Sequence, residues 1–227
     1  MKLTNWMIYL MVTIPMLSCN NPPTKPTIRI EDGKVGMIGF GSLVSLNMTE
    51  EVFNHDYTDS IYLVHLEGYQ RTWDFVASNY DSGYIEGEPK YAGFYIQGND
   101  TLIFDNSIYL NITEKNGSSM NCVLYLVTEE EIKDMDVFEF GYKRIDVTEN
   151  ITEYNFEGGK VYAYMAEPDY LYDSTKTKGI TKIHQDYVDL VLNACDSIGP
   201  DFRKEFEAST IPFNPELVAP IIWKEVE

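Results

Sequence analysis

The run Met120-Asn-Cys-Val-Leu-Tyr-Leu-Val127 restricts the folds open to this chain more than any other segment. It is nearly all apolar, so neither face of the strand it predicts can be turned to water, and such strands are covered on both sides. Thr128-Glu-Glu-Glu131 follows at once with the spacing of a capping box. In that device the threonine oxygen accepts the Glu131 backbone N–H and the Glu131 carboxylate reaches back. A helix over 129–138 is therefore predicted, with acids in its first turn where the helix dipole favours them. A doubly covered strand running straight into a helix requires a layered fold around one core.

The rest of the pattern fits that frame. Residues 35–40 read as a first buried strand ending in the glycine-rich turn Gly39-Phe-Gly41-Ser42-Leu43. A short helix is predicted over 47–54, strands over 60–66 and 68–75, and a polar loop over 77–89. Gly98-Asn-Asp100 separates strand-like runs at 91–96 and 101–104, a hairpin signal. Two further strands are predicted over 142–147 and 160–165. Ile183, Tyr187, Leu190, Val191, Ala194 and Cys195 follow helical spacing and define an amphipathic helix. Residues 208–227 carry Pro212, Pro215 and Pro220 and read as an extended C-terminal tail. Strands, a helix, more strands and a late helix make the class α+β, and 17 tyrosines with 11 phenylalanines favour the strands.

The N-terminus reads as a processing signal. Lys2 precedes a mostly apolar run over 6–17, and Met16-Leu17-Ser18-Cys19 is similar to a bacterial lipobox, in which the cysteine is lipidated and becomes the new N-terminus. An ordinary secretory signal cut near Ser18 is the other reading. The division expected is a signal over 1–18, a proline-containing tether over 19–33, one domain over 34–207 and the tail. The expected location is the cell envelope, with membrane contact through the lipid on Cys19 alone. A net charge of −19 argues against a nucleic-acid partner and against broad contact with anionic headgroups.

Metal and nucleophile chemistry find little support. Cys122 and Cys195 lack ligand spacing and read as buried thiols, although an oxidising compartment permits their pairing. His55, His65 and His184 are isolated, with no HExxH. Ser42 has no GxSxG context. Two segments do suggest a site. The Gly39–Leu43 turn lets backbone N–H groups approach an oxygen closely, although a tight turn without a ligand has the same composition. Glu139 lies between Phe138 and Phe140 where the predicted helix hands over to a strand. An acid in closed apolar surroundings is tuned toward neutral pH, whereas a solvated glutamate at a helix end is the plainer account. Tyr142 and Arg144 alternate on the next strand and share a face.

In order and spacing these segments resemble the γ-glutamylcyclotransferase-like family, whose fold is also that of a butirosin-biosynthesis cyclotransferase. The resemblance runs through Phe40-Gly41-Ser42-Leu43, Gly68-Tyr-Gln-Arg71-Thr-Trp73, Met135-Asp136-Val-Phe-Glu139, Tyr142-Lys-Arg144, the strand exit from Tyr164 to Pro168, and Asp186-Tyr187-Val188. Phe40 replaces the family's tyrosine, Gln70 departs from its arginine pair, and Cys122 stands where glycine is common. The resemblance implies a small mixed β-barrel with short helices and a pocket at one end. It implies release of 5-oxoproline from a γ-glutamyl amine or peptide, with Glu139 as general acid/base and no metal or cofactor. Phe40, Gly41, Ser42, Leu43, Tyr142 and Arg144 are the implied substrate contacts, and Asn111 is a further pocket candidate. The Glu139 carboxylate is then expected to face the amides of the turn across a closed cavity. The rivals are a non-catalytic ligand-binding lipoprotein on the same fold and a γ-glutamyl amide hydrolase or acyltransferase.

Overall fold

The computed structural model of the protein describes residues 25–79 and 90–226. Cys19 and the signal segment lie outside these residues, as does most of the predicted polar loop. Strand β1 (Thr27–Ile30) opens the described chain and pairs in parallel with a later strand over 155–158. The stretch read as tether therefore joins the folded body from Thr27. The physical reason is the alternation Ile-Arg-Ile, which puts Ile28 and Ile30 on one buried face.

β2 (Lys34–Gly39) leads through a 3₁₀ turn at Ser42–Val44 into α1 (Leu46–Phe53), capped by the Ser45 side chain. β3 (Tyr62–Ser78) is a single strand where two are predicted. Gly68, at φ +83°, absorbs a register shift between Glu67 and Tyr69, so the apparent break is a bulge. β4 (Lys90–Gln97) and β5 (Asp100–Ile103) form the expected hairpin. β6 (Asn106–Thr128) is far longer than its apolar core suggests, because its N-terminal half pairs along β3.

The capping box forms as read: Glu131 N–H donates to Thr128 Oγ1 at 3.1 Å, and Thr128 N–H donates to Glu131 Oε2 at 2.6 Å. α2 (Glu131–Phe138), β7 (Tyr142–Asp146), β8 (Asn155–Gly158) and β9 (Val161–Ala166) follow. β10 (Thr181–His184) precedes α3 (Gln185–Ile198), which carries the predicted amphipathic face. α4 (Pro200–Ala208) begins at a proline, and the tail then forms β11 (Val218–Ala219) and β12 (Ile221–Val226).

The largest sheet runs β11-β10-β6-β2-β9-β7, with β3 on the other edge of β6. It is a mixed sheet in an α+β fold of mostly strands. The expected closed barrel is corrected: the described strands end at β11 on one side and β7 on the other without joining. β11 has only two residues, and Pro220, which has no N–H for a ladder, sends the chain away to β12, which pairs with β4 in a separate three-stranded sheet. β6 is the spine of the core. Met120, Cys122, Leu124 and Val127 are buried, and Met37, Ile38, Leu66 and Ile112 pack in the same cluster. Cys122 and Cys195 are both buried and both free thiols.

One gap in the pairing positions the site. Along a single edge of β6, β10 pairs only at Asn106 and Ser107, and β2 pairs from Val123 onward. Neither strand covers the stretch between, and the 3₁₀ turn packs against β6 and α3.

Candidate active site

Glu139 caps the C-terminus of α2 at φ −84°, ψ 43°. Its N–H donates to the Met135 carbonyl at 2.8 Å, and its own carbonyl accepts the Tyr142 N–H at 3.0 Å. Gly141 completes the reversal into β7 at φ +81°, and a β-carbon there would meet the Phe75 and Tyr170 rings at 2.9 Å. Only glycine satisfies both demands, so the backbone around Glu139 is held from both sides. Phe138 and Phe140 are 46% and 56% exposed, so the two flanking rings do not make the dry surroundings of the acid. The residue is half-buried, and burial of the carboxyl lifts its pKa to about 7. Among the described residues no hydrogen-bond donor reaches the carboxylate to offset that effect.

Three phenols feel the Glu139 charge. Burial pushes the pKa of Tyr142, Tyr187 and Tyr164 upward, and the nearby Glu139 adds to it in each case. All three stay protonated at neutral pH. Tyr142 donates its hydroxyl hydrogen to the Leu110 carbonyl at 2.7 Å, and its ring stacks on Phe75 at 4.0 Å. Leu110 lies in the uncovered stretch of β6, so its carbonyl is free to take a side chain in place of a strand. Tyr187 arrives from α3 and packs edge-on against Trp73 and Tyr109, with centroids 5.9 and 5.0 Å apart.

The glycine-rich turn meets the same cluster. A β-carbon at Gly39 would lie 2.2 Å from the Leu43 carbonyl oxygen, so the turn closes only around glycine. The first N–H to bond backward is that of Val44, to the Gly41 carbonyl at 3.0 Å. The N–H groups of Gly41, Ser42 and Leu43 thus precede the internally bonded part of the turn. A β-carbon at Gly41 would sit 3.1 Å from the Tyr187 hydroxyl. Backbone groups of Leu110 and Ser42 hydrogen-bond that phenol and offset part of the rise in its pKa. Tyr187 therefore touches the turn and senses Glu139, linking two segments that are distant in sequence.

Asn111 is fully buried and fully engaged. Its amide nitrogen donates to Asp74 Oδ1 at 2.9 Å, and its oxygen accepts the Ala166 N–H at 2.8 Å. It holds Asp74, which sits in a bulge between Thr72 and Phe75 and also accepts the Thr72 hydroxyl at 2.6 Å. Arg144 is tied in through Asp136 and Tyr164, a phenol that feels both Arg144 and Glu139. It reaches Asp136 at 3.4 Å and the face of Tyr162 at 5.0 Å, and Asp136 also accepts the Tyr164 hydroxyl at 2.8 Å. Phe40 and Leu43 are buried wall residues, and Ser42 is half-buried.

Tyr187, Tyr109 and Asp74 are site residues that reading for chemistry passed over. Tyr187 was legible as one apolar position of a helix and as part of the Asp186-Tyr187-Val188 segment, with no chemical role attached. Asp74 sits inside a run that reads as strand, and nothing in the sequence announces a bulge there. An open cleft of about 1200 Å³ lies outside this cluster, lined in part by Asp74, Tyr170, Tyr172, Lys176 and Lys178. Tyr170 stacks near-parallel to Phe75 at 5.8 Å and stands edge-on to Phe140 at 5.4 Å, so an aromatic ladder connects the cleft to the neighbourhood of Glu139. Among the described residues no group of three or more His, Cys, Asp or Glu is arranged to hold a metal ion. The Ser107–His184 contact of 2.9 Å is buried on both sides, and burial drops the His184 pKa to about 4, which suits a core pair.

No family model matches the chain, and no curated protein matches it. Among solved structures it is similar to one described as a gamma-glutamyl cyclotransferase. That match has a TM-score of 0.49 and 10% identity, covering 82% of this chain and 94% of the other. It is similar to an uncharacterized protein from Homo sapiens at TM-score 0.47 and 12% identity, over 82% and 96% of the two chains. A protein from Arabidopsis thaliana matches at TM-score 0.35 and 18% identity, over 62% and 76%. At these scores and identities the likeness establishes no activity for this chain.

Proposed function

We propose that this protein cyclises a γ-glutamyl compound, releasing 5-oxoproline and a free amine. The observation that carries this reading is the desolvated Glu139 carboxyl, with a pKa raised to about 7, linked through Tyr187 to the turn whose Gly41 and Leu43 N–H groups make no backbone bond among the described residues. A carboxylate with that pKa takes and returns a proton readily at neutral pH. Glu139 removes a proton from the substrate's α-ammonium group. The freed nitrogen attacks the γ-carbonyl carbon, and the oxyanion that develops accepts hydrogen bonds from the Gly41 and Leu43 N–H groups. The protonated Glu139 then gives its proton to the leaving nitrogen as the original C–N bond breaks, and the second proton of the ring nitrogen passes to the released amine, which departs as an ammonium. No water is consumed and no net charge is transferred. Holding the substrate folded supplies much of the acceleration, because nucleophile and electrophile belong to one molecule. The phenols of Tyr142 and Tyr187 stand close to Glu139, and the outer cleft gives the leaving amine a way out. Anchoring through a lipid on Cys19 is part of this proposal and would put the reaction in the cell envelope.

The test is incubation of the purified protein with a panel of γ-glutamyl peptides and γ-glutamyl amines, with 5-oxoproline as readout. Release by the wild type and loss in Glu139→Gln supports the reading. Glutamate in place of 5-oxoproline would point to the hydrolase alternative. Activity that survives Glu139→Gln would end the mechanism. Retention of Cys19→Ala in the soluble fraction, against a membrane-bound wild type, tests the anchor.

A further inference from the structure

Arg71 is the largest fully buried side chain of the described structure. A guanidinium stripped of water normally sits against a carboxylate. Here every hydrogen-bond acceptor is neutral. Nε–H donates to the Phe40 carbonyl at 2.8 Å. Nη1 reaches the Phe206 carbonyl at 3.4 Å, Ser209 Oγ at 3.2 Å and Thr210 Oγ1 at 3.0 Å, while Nη2 donates to the Asn121 carbonyl. The cation also lies 3.9 Å above the Phe206 ring. Phe206, Ser209 and Thr210 belong to the C-terminal end of α4, where unpaired carbonyls and the negative end of the dipole gather. That end stands in for a counterion and makes the buried charge tolerable.

The contact with Phe40 has a consequence for the site. The Phe40 carbonyl and the Gly41 N–H are opposite ends of one planar peptide unit. A charge-assisted hydrogen bond at the oxygen fixes the orientation of that plane and polarises it, which strengthens the N–H as a donor. We propose that Arg71 is a positioning residue that locks and polarises the Phe40–Gly41 peptide, so that the Gly41 N–H is aimed at the oxyanion. This rests on the cyclisation reading only in naming the N–H as an oxyanion donor. The mechanical coupling of Arg71 to the turn stands without it.

The experiment uses the ¹⁵N,¹³C-labelled protein and two variants. In the wild type, a trans-hydrogen-bond coupling between Arg71 Nε and the Phe40 carbonyl carbon is expected, and its absence overturns the proposal whether or not any variant folds. Arg71→Lys keeps the charge but loses the planar fork. If it folds, the Gly41 amide resonance is expected to move upfield, and kcat for 5-oxoproline release is expected to fall about 100-fold with KM nearly unchanged, the size of a lost oxyanion donor. Thr210→Val removes one acceptor of Nη1 at the far side, and is expected to lower Tm while leaving kcat and the Gly41 amide in place. A folded Arg71→Lys with unchanged Gly41 amide and kcat overturns the proposal. So does a Thr210→Val that loses kcat as severely as Arg71→Lys, since stability alone would then be the cause. A wild type that releases no 5-oxoproline from any γ-glutamyl compound removes the proposed activity, yet the coupling and the Gly41 amide still decide whether Arg71 holds the turn.

Discussion

Glu139 carries opposing consequences for activity and stability. The folded protein keeps its proton to about pH 7, whereas the unfolded chain releases it near 4.5. Stability therefore falls as pH rises between those values and stays lowered above them. Glu139→Gln is expected to abolish 5-oxoproline release and, at pH 8, to stabilise the fold by roughly 1–3 kcal/mol in denaturant titrations, with the gain shrinking toward pH 5. In the wild type, kcat/KM should rise with pH along a limb centred near 7, because the base must be ionised to act. A flat profile between pH 5 and 8 would contradict that assignment. Asn111 acts differently: replacing it by alanine strands the buried Ala166 N–H and leaves Asp74 with the Thr72 hydroxyl. A loss of about 1–3 kcal/mol in unfolding free energy is expected, with one buried donor left unpaired.

Among the elements, the turn from α2 into β7 and the uncovered stretch of β6 shape the site together. Gly141→Ala would force a left-handed backbone on alanine and push a β-carbon to 2.9 Å from two packed rings. It is expected to lower Tm by several degrees and to reduce kcat, because Glu139 and the Phe75–Tyr170 ladder shift together. Thr128→Ala removes half of the capping box and should cost about 1 kcal/mol at the start of α2, measurable by thermal melting with little change in kcat. Much at this scale was legible. The capping box, the amphipathic α3 and the hairpin around Gly98 follow from local side-chain chemistry. The single long β3 and the N-terminal half of β6 were not, because a bulge at Gly68 resembles a strand end and the polar residues Thr113, Glu114 and Ser119 of β6 are held by pairing with β3 and not by their own burial.

For the molecule as a whole, a net charge of −19 means that compaction gathers like charges. Stability is expected to rise between 10 and 300 mM salt, as screening shortens from about 30 Å to well under 10 Å. Unchanged denaturation midpoints across that range would show that local ion pairs already neutralise the field. The open sheet is likewise a property of the whole chain. Its edge at β11 ends for want of residues, and β12 departs to form a second sheet, which no local window of sequence foretells.

The sequence by itself determined the α+β class, the doubly covered strand with its capped helix, and the two segments, Phe40–Leu43 and Glu139–Tyr142, worth testing for chemistry. These follow from periodicity and from the backbone freedom of glycine, which act over a few residues. Only the tertiary structure decided that the sheet stays open, that Arg144 pairs with Asp136, that Asn111 holds Asp74, and that Tyr187 and Arg71 stand against the turn. Those outcomes depend on which distant segments share an edge of β6, and the burial that lifts the Glu139 carboxyl comes from that packing and not from its two exposed phenylalanine neighbours.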